Sequence, residues 1–107
     1  MSEEARPEPR TYLVEHYRPG STAAELERVA SRVREAVDQL EREGRPVRFR
    51  HSTVVAKDES FLCVVEAPSD ALVLMVYDRA NVPFERMSAA HTEQSMNHPV
   101  PRKEIDR

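Results

Sequence analysis

Glycine is nearly absent from this chain: it stands only at Gly20 and Gly44. That leaves no glycine-rich phosphate loop, no dinucleotide fingerprint and no nucleophile elbow, so phosphate and dinucleotide cofactors are not expected. Cysteine occurs once, as Cys63, and a disulfide framework needs pairs. The longest apolar run, Ala71 to Tyr77, is far too short to span a bilayer. Met1 to Arg10 (MSEEARPEPR) has no apolar stretch of the secretory-signal kind. No membrane partner is therefore expected, and the cytoplasm is the expected location. An excess of one charge is missing too. Sixteen basic residues stand against 19 acidic ones, a formal charge of −3, without the basic footprint of a nucleic-acid binder.

What is present is enough for one domain: 107 residues. Residues 1–10, with prolines at 7 and 9, read as a disordered leader. Thr11–Tyr17 is rich in β-branched and aromatic residues and reads as a strand, closed by the turn signal Pro19-Gly20. Thr22–Glu43 is the clearest element. Thr22-Ala-Ala-Glu25 is a capping box, and Leu26, Val29, Ala30, Val33, Val37 and Leu40 recur at helical spacing. Gly44 sits where a left-handed C-terminal cap belongs. Val47–Ala56 and Phe61–Ala67 form a hairpin across the polar turn Lys57–Ser60. Ser69 and Asp70 open a second helix through Ala80, with Asn81 as its cap. That helix is apolar nearly all round, so its outer side should be covered by the tail or by a second subunit. Val82 to about His91 is a last strand, followed by a polar tail from 92 to 107.

Strand, helix, strand, strand, helix, strand is the ferredoxin-like α+β order, a split βαβ arrangement. Both crossovers place their helices on one face of a four-stranded antiparallel sheet, and the other face stays open. In the third strand Phe61, Cys63 and Val65 alternate with Leu62 and Val64, so both faces are apolar. An open apolar sheet face marks an interface or a pocket, which predicts a homodimer formed through that face.

Tyr12-Leu-Val-Glu15, Pro19-Gly20, Gly44-Arg-Pro-Val47, Ser52-Thr53, Glu66-Ala-Pro-Ser69 and Pro83-Phe84-Glu-Arg86 together resemble a small bacterial ferredoxin-like family, described as nickel-binding proteins or as a domain of unknown function. The resemblance covers about residues 11–91. It implies homodimers formed through sheet faces, with nickel as a ligand of some members.

The residues themselves offer His16, His51, His91, His98, Cys63, Glu15 and Glu66 as candidate donors for nickel or another divalent transition metal. None forms a local H-x-x-x-H or C-x-x-C motif, so a site must be assembled across strands. If position 56 pairs with 61, His51 falls opposite Glu66 on one face. The expected metal set is then His16, His51 and Glu66, with Glu15. The alternative for His51 and Glu66 is a cross-strand charge pair, and for the carboxylates an ion pair with Arg48 or Arg50. Cys63, mid-strand among apolar neighbours, is expected to be a small hydrophobe. His91 and His98 are expected to be solvated. The leading expectation is a non-enzymatic metal-binding homodimer. A dimeric α+β barrel enzyme or small-molecule binder remains open, and would show a closed pocket lined by Tyr12, Phe49, Phe84 and one histidine. A pure interaction module remains open as well.

Overall fold

In the computed structural model residues 8–91 are described; His98, most of the leader and the tail from 92 lie outside them. Strand β1 (Arg10–Tyr17) leads to helix α1 (Ala23–Arg42), then β2 (Arg48–Val55), β3 (Ser60–Ala67), helix α2 (Asp70–Ala80) and β4 (Arg86–Ala90). The sheet order is β2-β3-β1-β4, with every neighbouring pair antiparallel. This is the expected ferredoxin-like fold.

Each helix begins and ends where its local chemistry says it should. The Glu25 backbone N–H donates to Thr22 Oγ1 at 3.1 Å, and the Thr22 N–H donates to the Glu25 carboxylate at 2.8 Å, completing the capping box. Ser69 Oγ accepts from the Leu72 N–H at the start of α2. Asn81 closes α2 in the left-handed region at φ 57°, a conformation asparagine tolerates better than most residues. Gly44, at φ +90°, makes the corresponding reversal after α1. Two arginines then tie the helices together. Arg32 donates to the Ala80 and Asn81 carbonyls, which the end of α2 leaves free, and Arg79 grips the Glu43 carboxylate with both terminal nitrogens at 2.7 and 3.1 Å.

The core lies between sheet and helices and is almost wholly aliphatic. Leu26, Val33, Val37 and Leu40 of α1 and Val73 and Val76 of α2 are fully buried against Val14, Phe61, Cys63 and Val65 of the sheet. The stripe of α1 is the one its periodicity predicts. On the outer side of α2 Leu74 is 48% exposed among the described residues, and the tail expected to cover it lies outside them.

Two expectations are corrected. The last strand starts at Arg86 rather than Val82. Val82, Pro83 and Phe84 instead fold back on α2, where Val82 is buried and Phe84 packs edge-on against Tyr77. The hairpin register also differs. Residues Ala56–Asp58 form a 3₁₀ turn closed by Glu59 in the left-handed region, so Val55, not Ala56, begins the pairing, opposite Ser60. A β-bulge between Phe49 and His51 then inserts Arg50 as an extra residue. His51 consequently lies opposite Val64, while Glu66 lies opposite Arg48.

Truncation should separate the packed stripe from the bare one. Leu40→Ala, at a fully buried site, is expected to cost about 2–5 kcal/mol in urea unfolding, and Leu74→Ala less than about 0.5 kcal/mol; equal costs would contradict this packing.

Candidate functional site

Strand alternation sorts the candidate donors onto two faces. Tyr12, Val14 and His16 are buried beneath the helices, whereas Thr11, Leu13 and Glu15 lie on the open face. His16 is therefore separated from His51, Glu66 and Glu15 by the sheet itself. Its surroundings explain its state. It is 2% exposed and stacks on Phe61 with ring centroids 3.9 Å apart. Its Nδ1 lies 3.2 Å from the Phe61 carbonyl, which only accepts, so Nδ1 carries the proton. Nε2 is left as a buried lone pair without a partner among the described residues. Burial holds the imidazole near pKa 4, a fall that the Phe61 hydrogen bond opposes and the Arg18 charge assists.

Cys63 and Tyr77 complete this buried polar group. The thiol has no exposure, and burial pushes it up to about 11; burial also raises the phenol of Tyr77, which lies beside Cys63. Cys63 is a core residue with the small-hydrophobe role expected of it, and not a thiolate nucleophile.

On the open face the donors separate again. Glu15 faces Arg86 on β4 and accepts from its Nε at 3.1 Å. Glu66 lies opposite Thr11 on β1 and Glu15 opposite Leu62 on β3, so the two carboxylates are four residues apart along the sheet. At about 3.3 Å per residue that is roughly 13 Å, too far to share one ion. Glu66 does carry the ion pair its sequence position suggested, to Arg50 Nε at 3.7 Å.

His51 and Glu66 stay together despite the changed register. The slip is two residues, which keeps His51 on the face of Val64 and Glu66. Both line a groove at the end of the sheet where β1 begins and β4 ends, together with Arg10, Thr11, Arg50 and His91. His91 is the donor that sequence reasoning set aside as solvated. The signal that would have found it is topological: an antiparallel β4 beside β1 must deliver its last residues to the first residues of β1, and Ala90 does pair with Thr11. Imidazole and carboxylate suit nickel and its neighbours. Among the described residues of one chain, however, no three histidine, cysteine, aspartate or glutamate side chains come close enough to enclose an ion.

The aromatics expected to line a closed pocket do not share one. Tyr12 is buried in the core, Phe49 borders a shallow groove beside α1, and Phe84 borders another beside α2. None of the described helices is long and apolar enough to cross a membrane.

Fold and groove together define a small ferredoxin-like domain with a semi-polar open sheet face. A family model described as "Nickel responsive protein SCO4226-like" matches residues 12–89, and the chain belongs to that family. No match was found among curated proteins or among solved structures.

The buried imidazole predicts a pH-dependent stability. Between pH 6.5 and 4 the unfolded chain binds the His16 proton and the folded chain does not, so stability is full above pH 6.5 and falls as pH drops toward 4. The loss from this residue should reach roughly 3 kcal/mol. Denaturant midpoints between pH 4 and 8 should therefore fall more steeply for the native sequence than for His16→Gln; parallel curves would refute this role.

Proposed function

We propose that this chain is a non-enzymatic divalent-metal-binding protein of the nickel type, acting as a homodimer through its open sheet face. The observation that carries the reading is that His51, His91 and Glu66 line one groove in a chain of a nickel-responsive family. Glu15, engaged by Arg86, and His16, beneath the sheet, stand apart from it. Neutral imidazoles and a carboxylate are borderline donors matched to nickel or zinc, and the metal would be held by His51 and Glu66, neighbours on β2 and β3, together with donors of a second copy.

The apolar centre of the same face supports the dimer reading. Val64 is 9% exposed on its own chain, and Leu13 and Leu62 are only half-buried beside it. A second copy placed over these residues would cover an aliphatic patch that water now meets. It would also bring a second set of donors to the sheet face, which matters because one chain does not enclose an ion by itself.

Titration of tag-free protein with Ni²⁺ and Zn²⁺ tests the metal reading. Stoichiometric uptake is expected, abolished in His51→Ala and weakened about tenfold in His91→Ala, the effect of losing a supporting partner of the ligands. Binding no tighter than millimolar would remove the reading. Sedimentation of Leu62→Glu tests the interface: a monomer is expected, because a charge at the centre of the patch would have to be desolvated on association.

A further inference from the structure

Polar side chains from three elements meet inside the aliphatic core. The Tyr77 ring of α2 lies 5.3 Å from the His16 ring of β1, and the phenol lies beside Cys63 of β3. His16 and Tyr77 are 2% and 3% exposed. Even so, His16 Nε2 and the Tyr77 hydroxyl have no hydrogen-bond partner among the described residues. Two such atoms left unpaired in a core would be costly. They are also chemically complementary. Nδ1 holds the proton that it donates to the Phe61 carbonyl, so Nε2 can only accept, whereas the phenol both donates and accepts. Packing nevertheless holds them apart. The imidazole lies flat on Phe61, with centroids 3.9 Å apart and planes 3° from parallel. It cannot swing toward α2 without giving up that stack and the Phe61 hydrogen bond. Tyr77 is held in turn by its edge contact with Phe84.

We infer that this point of the core is a binding site for one internal water molecule, which donates a hydrogen bond to His16 Nε2 and accepts one from the Tyr77 hydroxyl. The donor set selects the ligand. It must donate to an imidazole lone pair, accept from a phenol and carry no charge, and water does all three at the smallest size. Cys63 Sγ, beside the phenol, is a weak acceptor for the second hydrogen. Three contacts are ordinary for a buried water. The bridge adds something that the surrounding aliphatic contacts cannot. Apolar packing has no direction, whereas hydrogen bonds through the water fix how α2 is turned over β1. Through the Tyr77–Phe84 contact this also sets the approach of the chain to β4.

A high-resolution crystal structure of the full chain tests this, together with urea unfolding at pH 7 of Tyr77→Phe, His16→Phe and the double variant. Density for one water within about 3.2 Å of both Nε2 and the phenol oxygen is expected. Tyr77→Phe removes one end of the bridge and should raise the unfolding equilibrium constant about tenfold. In the His16→Phe background the bridge is already broken, and the same change should cost less than about threefold. A hydroxyl with no partner behaves in the opposite way: its removal leaves stability unchanged or improves it. That result overturns the inference. Equal losses from Tyr77→Phe in both backgrounds overturn it too, as does density showing the phenol bonded directly to Nε2 or no water between them. If His16→Phe does not fold, the native density and the Tyr77→Phe single variant decide the matter.

Discussion

The structure depends on burying β3 from both sides. Phe61, Cys63, Val65 and Ala67 point under the helices with essentially no exposure, and Leu62 and Val64 point the other way. Hydrogen bonding on both edges, to β1 and β2, fixes this strand at the centre of the sheet. A strand so placed cannot slip by one residue without driving a fully apolar set into water and a half-apolar one under the helices. Helix α1 covers one face with a valine and leucine stripe, and α2 finishes the cover. Among the described residues nothing comparable lies over the other face. Stability thus rests on keeping the helix-facing residues of β3 enclosed.

Most of this was legible in the sequence because it rested on repeated, local signals. The α1 stripe, the Thr22–Glu25 box and the caps at Gly44, Ser69 and Asn81 are each set by neighbours within a turn or two. What was not legible needed knowledge of distance. The start of β4 was misplaced because Val82 and Phe84 look like strand residues, yet their apolar side chains are used against α2. The register of the hairpin was missed because a 3₁₀ turn and a bulge leave no mark in composition. The turn alone moves His51 by two positions, which spares its face and changes its partner, and the bulge then restarts the ladder at Phe49.

The candidate site shows the same division. That His51 and Glu66 share a face followed from alternation, and the ion pair between Glu66 and arginine from the cost of an unpaired carboxylate within an apolar strand. Placing His16 in the metal set failed to use the same alternation, which sends neighbouring Glu15 and His16 to opposite sides. The buried imidazole instead belongs with Phe61, Tyr77 and Cys63, and its chemistry is that of a neutral core residue. His91 lies one residue past β4, and only the meeting of strand ends brings it to the groove.

The bulge in β2 also bears on how this strand can change length over generations. Elsewhere in a half-buried strand, losing one codon reverses the facing of every residue beyond it, and selection removes such a lineage through its folding. At Arg50 the arithmetic is reversed. Removing that residue would leave Arg48, Phe49 and His51 opposite Glu66, Val65 and Val64 in an unbroken ladder. The fold would survive the deletion and only the guanidinium would go. A frame-preserving loss or gain of a single residue at this point is therefore a route by which the chemistry of the groove can be rewritten while the domain keeps its shape.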